Sequence, residues 1–509
     1  MSLWSGTASV FAAGMVMAVW SGAALAQGKT ATVAVGADIS TTDPHKISGG
    51  NEYIFFTQVF EGLYGHDLKG QLEPHLATGY TVSSDGLTYT FKLRSNVKWH
   101  NGDPFVAEDV VYSWKRATDP EIKNPRLAIL AGNIKEAKAI DSSTVELVLK
   151  KPDASMLENM GEYWYIVPSH AAKVGHEEFA KNPVGSGPYR FVERKVKDSF
   201  TLDAFKDHWG RKPGVDRLLV RIINDAQTRV AMLKTGEADL VVDVPLQSAK
   251  EVEKDPNVKL HVVPSLQNIF LTISNRKSDG TWKDVRVRQA VAHAIDRKTI
   301  IDKVMLGYAK QTTANCQVGV LGCDTGKPGY AYDPNKAKAL LKEAGWDPSK
   351  TIKLVGIAPG RTPQSKEVAE AIAFFLNQVG MKTQVEIMEY GAWLRFAYAR
   401  EADKADLIFF TWTDYNNDPM GRLPRSMRTD GALSWNSHPE LDALIDAANG
   451  FTDPQARLAH LRKTWTWIND NVPQVGLWTV DMLYGTRKNV EWTPAPGVSW
   501  PVLWKLAKK

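Results

Sequence analysis

The sequence predicts an α/β protein of two or three domains. With 509 residues, the chain is longer than a single small core requires. Residues 351–357 have the apolar pattern of a strand, and apolar side chains then recur at helical spacing from 368 to 379. Val385 and Ile387 alternate as the next strand, so strand, helix and strand follow one another as in a βαβ unit. An apolar fraction of 43% and a charged fraction of 23% are typical of globular proteins.

The elements before this unit follow from local patterns. Alternating apolar residues or short apolar runs predict strands at 30–36, 88–94, 240–242 and 270–273. Helical spacing predicts helices at 54–60, from 107 onward, at 224–236, and as one long helix from an Asp284 cap through Ile300. Residues 182–189 hold several turn formers and predict a crossing between domains.

The first 26 residues have the pattern of an export signal. Residues 10–20 form an apolar run too short to span a bilayer comfortably, and Ala24-Leu25-Ala26 has the small-x-small pattern of a cleavage site. The first nine residues lack the usual Lys or Arg. We expect cleavage after Ala26, no lipid anchor because no Cys follows the run, and a mature protein free in an oxidising periplasm.

The two cysteines predict a local disulfide. Cys316 and Cys323 lie close together in a Gly-containing segment, which in an exported protein favours a bond that closes a loop. Closing so short a loop contributes about 2–3 kcal/mol. A metal site is the alternative, but no His is adjacent to the two thiols.

Composition and motifs exclude several functions. The net charge of +5 is spread along the chain, without the basic tract that tracks nucleic acid. Ser186 is not a nucleophile elbow because Val184 and Pro188 replace the required glycines, and His176 lacks a second zinc-binding His. No phosphate-binding or dinucleotide glycine loop is present. A glycosidase is not excluded, because the sequence does not show whether two carboxylates face each other across a cleft. Seventeen Trp residues suit either ligand binding or packing.

Residues 407–419 form the strongest single candidate for a site. An apolar run ends there in a turn rich in Asn, Asp and Pro, which predicts a buried strand opening into a loop. Trp412, Asp414, Tyr415 and Asp418 lie at this junction, a common place for binding residues. The alternative is an ordinary strand end whose acids cap the next turn.

The chain resembles the family 5 extracellular solute-binding proteins, which serve ABC importers of peptides and nickel. The longest matching stretch is 84–116, from Ser-Asp-Gly-Leu-Thr-Tyr to Tyr-Ser-Trp-Lys-Arg. Shorter matches occur, in the family's order, at 42–46, 185–189, 236–240, 284–290, 295–297, 332–334 and 340–345. The resemblance covers essentially the whole mature chain.

This resemblance implies a periplasmic-binding-protein fold of the type II-like kind, with two α/β lobes joined by a hinge and an extra domain inserted in the first lobe. The implied segments are the signal peptide 1–26, the first lobe 27–60, 187–266 and 483–509, the inserted domain 61–186, and the second lobe 267–482. Ligand is enclosed as the hinge closes, and the closed form docks on a membrane permease coupled to an ATPase subunit. The implied protein is a monomer without cofactor, metal or catalytic residues.

In peptide binders of the family, a Trp and an Asp three residues later hold the ligand's amino end. Trp412 matches, but Tyr415 occupies the position of the acid, with Asp414 and Asp418 on either side. Because side chains alternate along a strand, Asp414 faces away from the cleft unless the chain bulges. The shifted acid weakens the expectation that an α-amino group is bound.

Other site residues follow by counting from the matched motifs. Arg400 either reaches the ligand's carboxylate end or is a solvated surface residue. Gln267 and Phe270 fall where ligand contacts occur, although Phe270 fits the core equally, and Ser48 and Gly49 lie on a segment that pairs with the ligand backbone.

Three arginines, Arg422, Arg425 and Arg428, follow the 407–419 stretch. They either attract an acidic ligand or form a solvated basic face. We therefore expect a non-enzymatic periplasmic binding protein for peptides or peptide-like solutes. The alternatives are an opine, a sugar conjugate or a nickel or other metal chelate as ligand, a sensory binding protein, and a secreted hydrolase.

Overall fold

The computed structural model describes residues 29–46, 50–122, 124–312, 316, 319–358, 362–413, 417–495 and 500–509. The predicted signal peptide therefore lies outside the described residues. Within the described ranges, no helix is both long and apolar enough to cross a membrane.

Strands and helices alternate along most of the chain. The strands of the described residues, β1 to β19, are Thr30–Val35, Tyr64–His66, Leu72–Pro74, Ala77–Val82, Thr88–Leu93, Ile134–Asp141, Thr144–Leu149, Tyr189–Lys195, Ser199–Ala204, Arg217–Ile222, Leu240–Val242, Val258–Ile273, Ala309–Gln311, Ile352–Ile357, Thr383–Met388, Leu407–Thr413, Gln474–Arg487, Val490–Glu491 and Ala507–Lys508. The α-helices of the same residues, α1 to α16, are Tyr53–Val59, Ala107–Ala117, Pro125–Asn133, Met156–Tyr163, Ala171–Val174, His176–Lys181, Ala226–Thr235, Leu246–Lys254, Val285–Ala294, Arg297–Lys303, Pro334–Glu343, Ser365–Gln378, Tyr390–Ala399, Leu423–Ser426, Pro439–Ala447 and Pro454–Asn471. Short 3₁₀ turns occur at Pro44–Lys46, Ala402–Lys404, Pro419–Gly421 and Leu503–Lys505.

One large mixed sheet runs through the molecule. Within the described residues its strand order is β15-β14-β16-β12-β17-β11-β1-β10-β9-β8, with β13 paired to β17 beside this path. Strands β14 and β15 are parallel and flank α12, so the predicted βαβ unit is present. Strands β12 and β17 are antiparallel and span 16 and 14 residues, which makes them long enough to belong to both halves of the sheet.

The ladder between β12 and β17 is interrupted in its middle. Residues 258–264 pair with 481–487, and residues 268–272 pair with 474–479, with a register shift between Pro264 and Asn268. Such an irregularity bends a strand and increases its local twist. The predicted lobe boundaries, 266/267 and 482/483, fall at this interruption, and they stay a prediction.

A separate four-stranded sheet, β4-β5-β7-β6, lies within residues 61–186. It has its own core, in which Phe91, Trp99, Leu147 and Trp164 are almost fully buried. The return strand predicted at 88–94 is β5, and it pairs with β4 across the predicted turn at 84–86. This region can therefore bury an apolar face independently of the large sheet.

A buried ion pair joins this region to the segment after β1. The Arg116 guanidinium on α2 donates to both carboxylate oxygens of Asp43, at 2.9 and 2.6 Å, and both side chains are essentially unexposed. Although burial opposes ionisation, the hydrogen bond and charge of Arg116 lower the pKa of Asp43. Next to this pair, the His45 ring bonds the Tyr165 carbonyl at 2.8 Å.

The glycines at 185 and 187 let the chain cross α1 closely. A Cβ atom on Gly185 would lie 1.8 Å from the carbonyl oxygen of Val59, and one on Gly187 would lie 2.5 Å from that of Gln58. The Gly187 N–H instead donates to the Val59 carbonyl at 2.9 Å. The predicted domain crossing thus depends on the absence of side chains at both positions.

One sequence prediction of the fold was wrong. The long helix expected from Asp284 through Ile300 is two helices, α9 and α10, because Ile295 is extended. The Asp296 side chain accepts a hydrogen bond from the Thr299 N–H at 3.0 Å and caps a new helix there.

We predict that Arg116→Met lowers the free energy of unfolding by about 3–5 kcal/mol, because it leaves the Asp43 carboxylate buried without its partner. Urea unfolding followed by tryptophan fluorescence measures this loss. Lys181→Met is the matched control, since its ion pair with Glu178 is largely exposed and should matter by less than about 0.5 kcal/mol. Equal effects of the two substitutions would contradict the structural role of Asp43.

Candidate ligand-binding site

Strand β16 emerges from the core at its carboxyl end. Its first four residues are buried and Thr411, Trp412 and Thr413 are half-buried. Its start is fixed by Asp406, whose carboxylate accepts from Trp282 Nε1 (2.9 Å) and the Lys353 N–H (2.9 Å). The strand therefore presents Trp412 from a fixed base, as the sequence pattern predicts.

One face of the β12–β16 ladder carries the aromatic residues of the site. Trp412 lies opposite Asn268 and Phe410 lies opposite Phe270, and residues paired in this way share a face. The rings of Phe270 and Phe410 stack at 5.4 Å with an interplanar angle of 14°. The Arg425 guanidinium lies 5.4 Å from the centre of the Trp412 ring, within the range of a cation–π contact.

The three arginines after β16 have different environments. Arg422 is 2% exposed, lies 4.7 Å from the Phe270 ring, and donates to Gln474 Oε1 at 3.3 Å. Arg428 pairs with Asp430 and Asp446 at the surface. A solvated basic face thus describes Arg428 and does not describe Arg422. Arg425 is half-buried beside Trp412.

Several predicted site residues make contacts within the protein. Phe270 is 1% exposed and supports the site from the core. Asp418 is 4% exposed, pairs with Arg457 at 2.8 Å, and caps the 3₁₀ turn by accepting from the Met420 N–H. Burial raises the pKa of Asp418, and the Arg457 charge opposes this shift. Arg400 ends α13 in a left-handed conformation and donates to the Gly431 carbonyl at 2.8 Å.

The remaining candidates are separated from Trp412 or cannot be placed. Gln267 lies opposite Thr413 and so points to the other face of the ladder from Trp412. The residues Ser48, Gly49, Asp414 and Tyr415 lie outside the described residues.

A disulfide supports the segment that follows β16. Cys316 and Cys323 are bonded, with Cα atoms 5.6 Å apart, and Cys316 packs in a small core with Leu423 and Trp465. The Leu321 N–H between the cysteines donates to the Asn417 carbonyl at 2.8 Å. The predicted disulfide therefore holds a loop directly against the candidate site.

The sequence pattern did not indicate Asn268, which lies opposite Trp412 in the structure. Its side chain is 1% exposed, and neither Oδ1 nor Nδ2 has a hydrogen-bond partner within the described part of the chain. A polar residue directly before the apolar run 269–271 was the available signal.

Contacts join region 61–186 to residues 449–452. The Ala154 N–H donates to the Asn449 carbonyl at 3.3 Å, and Gly86 lies against Thr452. The Glu158 carboxylate on α4 is near enough to Asp418 to raise its pKa further. This conformation therefore brings the predicted inserted domain and second lobe together.

A cavity of about 410 Å³ lies elsewhere, lined by residues between 57 and 75 together with 161, 165, 211 and 500–505. Its buried acid Glu61 is already bonded by His208 (3.2 Å) and Trp209 (3.0 Å). Burial opposes ionisation there, but the His208 hydrogen bond and nearby cations lower the pKa of Glu61 to about 2. The cavity does not coincide with the β16 site.

Comparison with known proteins agrees with this geometry. The sequence profile described as "Bacterial extracellular solute-binding proteins, family 5 Middle" matches residues 71–433. The chain belongs to this family. Family 5 proteins are periplasmic solute-binding proteins of ABC importers, so the resemblance and the two-lobed binding-protein fold predicted from sequence are confirmed.

The relatives of this family 5 protein differ in the ligands that they are named for. The glutathione-binding protein GsiB of Pectobacterium atrosepticum is 32% identical over 390 residues, which covers 76% of this chain and 74% of that protein. The ABC transporter-associated periplasmic binding protein DppA of Helicobacter pylori, solved with the peptide STSA, is 25% identical with a TM-score of 0.79 over 94% of this chain and 98% of that one. NikZ of Campylobacter jejuni, solved with Ni(L-His), has a TM-score of 0.78 at 23% identity over 94% and 99%, which shows the shared fold.

We predict that Asp418→Asn destabilises this family 5 protein even without ligand. The substitution leaves the buried Arg457 guanidinium without its charged partner, and we expect a loss of about 3 kcal/mol in the free energy of unfolding. Thermal unfolding of ligand-free protein measures it. Asp430→Asn, at an exposed pair, should change stability by less than about 0.5 kcal/mol. A stable Asp418→Asn protein with weakened ligand binding would return Asp418 to the ligand site.

Proposed function

We propose that this protein captures short peptides or peptide-like solutes between two lobes and delivers them to an ABC permease, with glutathione as the first candidate ligand. The lobes and the inserted domain have the boundaries predicted from sequence. The mature protein is a monomer released from its signal peptide into the periplasm, and it binds and releases ligand without chemical change.

One observation carries the proposal. Trp412 stands at the end of a buried strand, opposite Asn268 and under the Arg425 guanidinium, beside the interrupted β12–β17 ladder. The shape of a binding site at this point depends on the relative position of the proposed lobes. An aromatic ring with a cation beside it suits an organic ligand that carries a carboxylate.

We infer an acidic ligand from the charged side chains near Trp412. In the family pattern an Asp after the Trp holds the ligand's amino end, but here Asp418 is neutralised by Arg457. Arg425 favours a ligand carboxylate near Trp412. Glutathione is a tripeptide with two carboxylates, and the relatives at 32% identity are named for binding it.

The alternatives make different chemical demands. An opine or a sugar conjugate could use the same Arg425 and Trp412 surface. The described residues contain no group of three His, Cys, Asp or Glu side chains able to hold a metal ion, so a metal chelate would be bound through its organic part. A secreted hydrolase would turn over chromogenic ester, peptide or glycoside substrates, and a sensory protein would retain a receptor in a pull-down experiment.

Native mass spectrometry of the freshly purified, cleaved protein tests the proposal first. Release of glutathione or of a ladder of short peptides on denaturation would support it. A single non-peptide mass, such as an opine or a metal chelate, would replace the peptide class. Calorimetry with glutathione and with trialanine then measures affinity directly.

We predict that saturating glutathione raises the melting temperature and reduces the radius of gyration in solution scattering. Ligand at about 100 times its Kd stabilises the bound state by about 2.7 kcal/mol. Glycine at the same concentration is the control. Binding that left the radius of gyration of the ligand-free protein unchanged would contradict closure of the lobes on the ligand.

We predict that Trp412→Ala weakens glutathione binding at least about tenfold while costing less than about 2 kcal/mol of stability, because the ring is half-buried. Trp435→Ala provides the comparison, since Trp435 is fully buried and its truncation should cost about 3–5 kcal/mol. Calorimetry and urea unfolding separate the two effects. A Trp412→Ala loss as large as that of Trp435→Ala would assign Trp412 to the core.

A further inference from the structure

Asn268 occupies a particular position on β12. It is the first residue to pair with β17 after the interruption that begins at Pro264. It lies directly opposite Trp412 on β16 and Thr479 on β17. In antiparallel ladders, opposite residues project from the same face, so its carboxamide lies on the face of Trp412.

The carboxamide of Asn268 is buried without hydrogen bonds. The residue is 1% exposed, and both Oδ1 and Nδ2 lack partners among the described residues. Burial of an amide with neither its donor nor its acceptor used is unfavourable and uncommon in native proteins. A partner that is added on binding accounts for retaining such a group.

Farther from Trp412, polar side chains on the same face do have hydrogen-bond partners. Thr272 lies four residues along β12, and its hydroxyl accepts from Gln474 Nε2 at 3.2 Å. Gln474 Oε1 in turn accepts from Arg422 at 3.3 Å. The unfilled hydrogen-bonding capacity is therefore located at the end of the face where Trp412 and Arg425 meet.

A carboxamide offers one C=O acceptor and an NH₂ donor side by side. The backbone N–H and C=O of one residue in an extended peptide point to the same side and match it, whereas those of a single trans amide point to opposite sides. A metal ion has no hydrogen-bond donor and so cannot fill both groups. The half-buried Trp412 is the residue paired with Asn268 on β16.

We propose that Asn268 is a specificity-determining residue that binds the backbone N–H and C=O of one residue of a peptide ligand. Its Nδ2 donates to the ligand carbonyl, its Oδ1 accepts from the ligand N–H, and Arg425 holds a carboxylate beyond. This inference rests on the proposed function and deepens it, because it makes an unsubstituted amide the feature by which ligands are selected.

The test uses the full mature protein and two probes, reduced glutathione and trialanine, together with analogues N-methylated at each amide. Calorimetry compares wild type with Asn268→Leu, which keeps the number and branching of side-chain heavy atoms, and Asn268→Ala. For at least one probe we expect each substitution to weaken binding about ten- to a hundredfold. The melting temperature of the ligand-free variants should stay the same or rise, because no hydrogen bond is removed.

N-methylation distinguishes direct contact from an indirect effect. For one amide of the bound probe, methylation should weaken wild-type binding by a similar factor and should have little further effect on Asn268→Leu. Asn257→Leu, at an exposed position just before β12, is the matched control and should change affinity by less than about threefold.

The outcomes separate the two proposals. If wild type binds neither probe, both the peptide function and the role of Asn268 are overturned. If wild type binds a probe but both Asn268 variants bind it equally well, only the role of Asn268 fails. Losses from methylation and from substitution that simply multiply would also overturn direct amide recognition, as would a marked fall in the melting temperature of both ligand-free variants.

Discussion

The ladder between β12 and β17 is the constraint on which the rest of the structure depends. Strands β14, β15 and β16 are hydrogen-bonded to β1 and β8 to β11 through these two strands. The ladder changes register between Pro264 and Asn268, where regular pairing is already absent, so a change of direction there breaks few hydrogen bonds. Trp412 is paired to the residue that follows this interruption, so the candidate site lies next to the irregular part of the ladder.

The site is held from several sides before any ligand arrives. Asp406 fixes the start of β16, the Asp418–Arg457 pair fixes the turn after it, and the disulfide at Cys316 presses a loop against that turn. A site supported in this way loses little freedom on binding, so more of the contact energy is available as affinity. In this arrangement the charged side chains of Asp406, Asp418 and Arg457 make contacts within the protein.

The sequence was sufficient for β16 and its position, because a continuous apolar run followed by Asn, Asp and Pro strongly indicates a buried strand opening into a loop. The roles of the acids were not predictable. Asp418 is neutralised by Arg457, which is 39 residues away and becomes a neighbour only in the fold. Asn268 was missed for a related reason: alternation separates it from Gln267, but only the register with β16 shows which of the two shares the face of Trp412.

Amide recognition and charge do different work in such a site. A buried carboxamide discriminates by class, since a ligand that lacks a matching N–H and C=O leaves both of its groups unpaired. In the proposed site Arg425 orients the ligand, because a guanidinium attracts a carboxylate and repels an ammonium. The proposed function therefore expects a peptide that places an acidic group, rather than its amino end, against Trp412.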